Sequence, residues 1–374
     1  MGFVKFTDVV KRANTKEDRF NTSKLYYVGG EHIDSAEMVV NKKGLIAGST
    51  IGPMFYCGFT AGQILFVTRN PHLRKCGMVF FDGICSEKTF VLETKDEKVL
   101  SQKYLAVLMQ SDDFWNYCEE NKSGGVNYFL NWSTLAEYEF ELPPIEEQID
   151  LAKKVWAAYE LKQSYIKMIE ATDEMVKSQF IEMFGGGLYK QVELDTLAKD
   201  WQKGQSFKKD NLMNDGKHKC IHYGELFTKY GPIIDGVLSS TDDDIIKASK
   251  VGDILFPASD VTPDGLARCS ALMLDGVLLG GDIIVLRPQS GIVPEYLSWA
   301  INMQKDQLLK RVTGSVVRHM SAKGLKTVTV PIPPKDIQQQ FISIVRQADK
   351  SKFELNNSIA AIDKVIKSLI NENL

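Results

Sequence analysis

The sequence predicts an α/β protein built twice: two similar α/β domains separated by two long antiparallel coiled-coil helices, an internal duplication with pseudo-two-fold symmetry. Three observations carry this. Leu142-Pro143-Pro144 and the long helical run behind it return as Ile332-Pro333-Pro334 and a second such run, 190 positions later. The same offset pairs Gly124 with Gly314, Leu135 with Leu325, Gln148 with Gln338 and Val155 with Val345, without a gap. In the second run Phe341, Val345, Ala348, Lys352, Leu355, Ile359, Ile362, Ile366 and Leu369 alternate steps of four and three, a coiled-coil stripe broken by one lysine. Moved back by the offset, the stripe reads Leu151, Val155, Ala158, Lys162, Tyr165, Ile169, Thr172, Val176 and Gln179, with its lysine in the same place.

The predicted order is a first domain over residues 1–144, a spacer helix over 145–184, a second domain over 185–334 and a second spacer helix over 335–374. In the first domain, Gly62 to Val67, Met78 to Phe81 and Phe90 to Leu92 read as strands, and Lys103 to Glu120 as one helix. Gly252 to Phe256, Ile284 to Leu286 and Tyr296-Leu297 are their counterparts in the second domain. Each long helix opens on proline with acidic groups near its start, Glu146 and Glu147 or Asp336, which suit the positive helix N-terminus. Gly185-Gly186-Gly187 stops the first one. At about 1.5 Å per residue each is a rod of roughly 60 Å, long for a core helix and suited to a spacer. Because only a glycine turn precedes the second domain, the second rod is expected to run back along the first.

A chain of 374 residues, 44% hydrophobic, supports two packed cores. No stretch has the apolar character of a signal sequence or membrane span, so a cytoplasmic protein is expected. The six cysteines form no CxxC pair and no zinc-ligand spacing, and are expected to be reduced and mostly buried. A formal charge of −3 argues against a general nucleic-acid coat but permits a local basic surface.

Between the matched strands the halves diverge: Val67 to Phe81 has little in common with Pro257 to Val277, nor Arg12 to Met38 with Asp200 to Asp235. Similar frames with dissimilar loops, held apart by a rod, suit a protein that grips two different features at a fixed distance on double-stranded DNA. The loops supply the chemistry. Lys16, Arg19, Lys42, Lys43, Arg69, Arg74 and Asn127 are candidates in the first domain; Lys208, Lys209, His218, Lys219, Arg268, Arg311, Ser315, Arg318 and His319 are candidates in the second. Lysine and arginine suit phosphate or guanine, while Asn127, His218 and His319 could read base edges.

With these features the chain resembles, over essentially its whole length, the specificity subunit of type I restriction-modification enzymes. The resemblance rests on the Pro-Pro helix openings with glutamine in the first turns (Pro143 to Gln148; Pro333 to Gln340), on Gly314-Ser315 through Leu325, and on Lys203 to Phe207. The first domain departs from it at Asn14-Thr15-Lys16, which lacks the glycine found at Gly204, and at Gly124-Gly125-Val126-Asn127, which replaces the Gly-Ser form. The resemblance implies two target-recognition domains reading a bipartite DNA target with a fixed spacer. It further implies two methyltransferase subunits and two restriction-translocase subunits as partners. S-adenosylmethionine, ATP and Mg²⁺ would belong to those partners, with no cofactor in this chain.

The chemistry of an enzyme is sparse. Leucine and isoleucine precede the two Pro-Pro pairs where a DNA methyltransferase needs Asn or Asp, and there is no GxxxxGK[ST] phosphate loop. Asp82 with Glu93-Thr94-Lys95 is the best enzymatic pattern, two carboxylates beside a lysine as a Mg²⁺ nuclease would use. A nuclease centred on Asp82 and Glu93, and a protein-only coiled-coil scaffold, are therefore the competing readings. The target bases and spacer length are not written in the loops.

Overall fold

The computed structural model describes residues 2–205, 207, 209–244 and 246–374, and they form two compact units: Met1–Met168 with Glu354–Leu374, and Ile169–Phe353. In the first unit four antiparallel strands lie in the order Val10–Arg12, Thr89–Thr94, Ile64–Val67, Cys76–Met78. Successive side chains of a strand point to opposite faces, and here both faces are covered. Ile64, Phe66, Phe90 and Leu92 pack against Leu105, Trp115, Val155 and Tyr159. Leu65, Val67 and Val91 pack on the other side against Val28, Phe59 and Cys85, which belong to a second four-stranded sheet. Burial on both faces explains why these strands read as unbroken apolar runs.

The second unit repeats the plan. Ala198–Lys203, Ile283–Pro288, Asp253–Pro257 and Ser270–Leu272 follow the same order, with Ile233–Ile234 added at the edge. Ile254, Phe256, Ile284 and Leu286 face the cluster that holds Phe180, Tyr296 and Phe341. Leu255, Ile283 and Val285 face Ile221, Leu226 and Leu279. Even the register is kept: Ile64, Leu65 and Phe66 sit opposite Leu92, Val91 and Phe90, while Ile254, Leu255 and Phe256 sit opposite Leu286, Val285 and Ile284.

Two of the sequence expectations are corrected. The strand expected at Met78 to Phe81 is Cys76–Met78, and Phe80 is instead an exposed ring against the edge of Trp156. The helix expected from Lys103 to Glu120 is two helices, Gln102–Leu108 and Asp112–Glu120. Ser111 breaks it: its backbone is extended and its hydroxyl accepts the Phe114 N–H at 3.2 Å, a cap that restarts the helix.

The long helices are Ile145–Phe184 and Lys335–Asn371. Gln148 and Gln338 are buried side chains that fix how each one starts. Gln338 donates to the Pro333 carbonyl at 2.8 Å and accepts the Val293 N–H at 2.9 Å. Gln148 likewise donates to Pro143, at 2.8 Å, and accepts the Ser101 N–H at 3.0 Å. At the other end the Gly185 N–H reaches the Ile181 carbonyl at 2.8 Å.

In each unit the beginning of one long helix lies along the end of the other, so the paired segments run antiparallel. In the first unit Lys162 Nζ is 2.9 Å from Asp363, and Ile370 joins the cluster of Leu151 and Val155. In the second, Lys352 Nζ is 2.7 Å from Asp173, and the Phe341 ring lies 5.3 Å from Phe180 and 5.5 Å from Phe184. The lysine that interrupts each seam is thus neutralised from the opposite helix. Among the described residues no helix is long and apolar enough to cross a membrane, and the six cysteines are free thiols, five of them buried.

Candidate nucleic-acid interface

Each unit carries the same short hairpin outside its main sheet. Ser123 and Phe129 exchange backbone hydrogen bonds of 2.8 and 2.9 Å, and Thr313 and His319 exchange bonds of 3.0 and 2.8 Å. Both hairpins turn on a glycine with positive φ, Gly124 at 97° and Gly314 at 92°. A side chain at Gly124 would also come within 2.7 Å of the Asn127 carbonyl, so glycine is required there twice over. Each hairpin then docks on the chain leaving the central strand: Arg69 bridges Phe129, and Ser259-Asp260 pairs with His319-Arg318. Every one of these positions is matched by the 190-residue offset. The departure of Gly124-Gly125-Val126-Asn127 from the Gly-Ser form therefore leaves the turn intact.

The candidate side chains fall into distinct groups. At the first hairpin, Arg69 lies 5.2 Å from the Phe129 ring and donates to the Asn127 carbonyl at 3.4 Å, with the Asn127 side chain exposed. At the second, Ser315 and His319 are exposed, His319 Nδ1 is 3.4 Å from the Ser259 hydroxyl, and Arg318 donates to the Gly314 carbonyl at 2.8 Å. These residues are brought together. Lys16 instead lines a cavity of about 430 Å³ with Arg12, Tyr56, Cys57 and Lys88. Arg19 lies over Phe20 at 4.3 Å, Lys43 over Tyr26 at 3.8 Å, and Lys42 pairs with Asp34 at 2.7 Å, all near the second sheet of the first unit. His218 and Lys219 lie on the strand His218–Ile221 of the second unit's three-stranded sheet.

Three candidate arginines hold the fold. Arg74 pairs with Asp112 at 2.6 Å, and Arg268 donates to the Phe227 carbonyl at 3.0 Å. Arg311 is the most engaged: it donates to the carbonyls of Gln307 (2.6 Å), Gly324 (2.9 Å) and Thr327 (2.8 Å) and to the Thr327 hydroxyl (3.1 Å). It braces the base of the hairpin. Lys208, the side chain of Lys209, and Ser206 of the Lys203 to Phe207 motif lie outside the described residues.

Sequence reading missed Arg12, whose guanidinium lies 4.2 Å over the Phe90 ring beside Lys16. The offset places it opposite Gln202, so the duplication gave no basic signal there. Its charge acts on Cys57: a hydrogen bond with Cys85 lowers that thiol, burial opposes, and Arg12 helps bring it to about 7. The carboxylates of the nuclease reading are each engaged by different partners. Asp82 accepts the Ala61 N–H at 3.0 Å and pairs with Lys24 at 3.2 Å, contacts that hold its carboxyl below the usual range. Glu93 pairs with Lys11 at 3.2 Å and accepts from Gln63 at 2.7 Å. Among the described residues no group of three or more His, Cys, Asp and Glu side chains could hold a metal ion.

Comparison with known proteins gives this architecture a family. Residues 188–363 match the type I restriction modification DNA specificity domain. The chain is 20% identical over 371 residues to the MjaX type I restriction enzyme specificity subunit of Methanocaldococcus jannaschii, a match spanning 91% of this chain and 84% of that protein. It is 27% identical over 97 residues to the EcoDI type I restriction enzyme specificity subunit of Escherichia coli; that match covers 26% of this chain and only 21% of the relative's length. The type I restriction-modification S subunit from M. genitalium has the same fold, with a TM-score of 0.60 at 14% identity over 99% of this chain and 94% of the other. Residues 188–363 thus belong to the type I restriction modification DNA specificity domain family, and a first unit with the same strand order and the same hairpin makes the whole chain similar to the specificity subunits of type I restriction-modification systems.

Proposed function

We propose that this chain reads a bipartite DNA target for a type I restriction-modification complex, one half-site to each unit, and catalyses nothing itself. The observation that carries the reading is the recurrence of one hairpin on one strand pairing in both units, with different polar side chains on it: Arg69 and Asn127 in the first, Ser315, Arg318 and His319 in the second. A common frame with exchanged side chains is what two unlike half-sites require. Lysines and arginines on phosphate would fix orientation, and the hairpins would meet base edges. Family membership supports two methyltransferase subunits, and two restriction-translocase subunits in the restricting complex, as partners in the cytoplasm. S-adenosylmethionine, ATP and Mg²⁺ would be theirs.

The test is to purify the full chain with the methyltransferase that accompanies it, expose DNA of known sequence, and map the methylated bases. Methylation confined to sites with two fixed half-sequences and a constant gap is expected. Methylation by the partner at the same sites without this chain would refute the proposal. So would cleavage by the chain alone that disappears in Asp82→Ala, which would restore the nuclease reading.

A further inference from the structure

We propose that Val126 and Val316, at the tips of the two hairpins, each pack on the methyl group of a thymine in the major groove, one thymine in each half-site; this rests on the DNA-reading function above. Val126 is 91% exposed, more than any other large hydrophobic among the described residues, and Val316 is 80% exposed. A lone surface valine means little. This one occurs twice, at matched positions of loops that have otherwise diverged. From 124–129 to 314–319, glycine and valine are the residues retained, while Gly125, Asn127, Tyr128 and Phe129 become Ser315, Val317, Arg318 and His319.

The glycine sets the turn, so it needs no partner to explain it. At 91% and 80% exposure each valine buries little surface within its own unit. Its tip is nonetheless held still: the backbone bonds at Ser123–Phe129 and Thr313–His319 close the hairpin just behind it, and a β-branched side chain has little rotamer freedom to lose. A side chain without donor or acceptor can match only an apolar feature of DNA. Among base edges that feature is the thymine methyl, and it lies in the major groove, which is wide enough for a two-stranded ribbon. Side chains that wedge between base steps from the minor groove are typically longer. The retained valine would thus read the same feature in both half-sites, and the exchanged neighbours would read the differences.

The experiment is selection from a pool of random-sequence duplexes by the full chain, alone and with its copurified methyltransferase, followed by sequencing. It is run for the parent, Val126→Ala and Val316→Ala, with Val126→Thr and Val316→Thr keeping one methyl as conservative controls. A second pool carries deoxyuridine in place of thymidine. The parent should show one thymine preference per half-site that falls about four-fold in the deoxyuridine pool, the equivalent of about 0.8 kcal/mol for one buried methyl-sized group. Val126→Ala should lose it in one half-site only, Val316→Ala in the other, and the threonine variants should keep part of it. Unchanged selection by both alanine variants overturns the inference. So does weakened selection by them when the deoxyuridine pool behaves like the thymidine pool, which would point to a wedge. A parent that selects no sequence from either pool overturns the DNA-reading function itself, and is told apart because the parent fails.

Discussion

Replacing Gln338 with methionine removes two hydrogen bonds and puts nothing polar in their place. The Val293 N–H and the Pro333 carbonyl both lose a partner, in a site where Gln338 is 1% exposed and both bonds are buried. A buried backbone group left without a partner costs roughly 1–3 kcal/mol, so the pair costs about 2–6 kcal/mol, and the added apolar burial of methionine returns about 1 kcal/mol. The net loss is about 1–5 kcal/mol. Gln148→Met should cost less, because its bonds to Ser101, Val99 and Pro143 are only partly buried and water can replace some of them. Gln339, exposed one position along, is the control.

The assay is hydrogen exchange on the full chain read by peptide, which reports each unit separately where one unfolding curve would merge them. Gln338→Met should speed exchange around Val293 and the start of the second long helix while leaving Ser101 at parental rates. Gln148→Met should do the reverse, more weakly. If Gln338→Met exchanges no faster than Gln339→Met, the glutamine does not hold the helix to the domain.

Three further outcomes are expected. Arg311→Ala should lower the melting temperature and weaken binding to all DNA sequences alike, whereas Arg318→Ala should leave melting nearly unchanged and alter preference at one base pair by roughly 1–3 kcal/mol; the reverse pattern in melting and binding-selection measurements would exchange their roles. For Lys162 and Lys352 burial is the largest single influence and pushes the pKa down, but the hydrogen bonds to Glu37 and Asp363, and to Asp173 and Asp349, together outweigh it and raise it above 10.5. Their stabilisation is therefore full below the unfolded pKa and lost as pH rises through the folded one, so the melting temperature should drop above about pH 10.5 by more in the parent than in Lys162→Met/Lys352→Met, the difference removing the parallel effect of buried tyrosines. Inserting one heptad after Lys162 and one after Lys352 lengthens each helix by roughly 10 Å, about three base pairs; methylation mapping should give a longer gap between half-sites or no specific site, and the original gap would refute the idea that the helices set it.

The repeated elements were legible because a repeat is visible without knowing what it packs on. The offset found the paired strands, the hairpin glycines and the seam lysines, each of which the two units place alike. The surroundings of the candidate side chains were harder to read for a physical reason. An arginine looks the same in sequence whether it faces solvent or spans two segments, and the acceptors that decide the matter are Asp112 for Arg74, Phe227 for Arg268, and Gln307, Gly324 and Thr327 for Arg311. Apart from Gln307, none is a near neighbour in sequence. The break at Ser111 escaped for the opposite reason: apolar spacing carries on across it, and only the serine cap marks the restart.

The seam lysines show why a charged residue is kept in a stripe that would pack better without it. An ion pair with a partly buried lysine contributes little net stability compared with apolar residues of the same volume, but it favours the register in which the lysine keeps its aspartate on the opposite helix in addition to Glu37 or Asp349. Sliding the second long helix by one heptad would set Lys162 against Ile370 or Asn356 in place of Asp363, and Lys352 against Phe180 or Ile166 in place of Asp173. An apolar stripe with a seven-residue repeat barely distinguishes these alternatives. Because the offset carries Lys162 onto Lys352 and Asp173 onto Asp363, one ancestral lysine and one ancestral aspartate supply both pairs, and each unit fixes the register of the helix segments it contains. For a protein proposed to measure the gap between two half-sites, a one-heptad slip is an error of about three base pairs, so a partly buried lysine with its aspartate across the seam favours the one quantity that apolar packing leaves free.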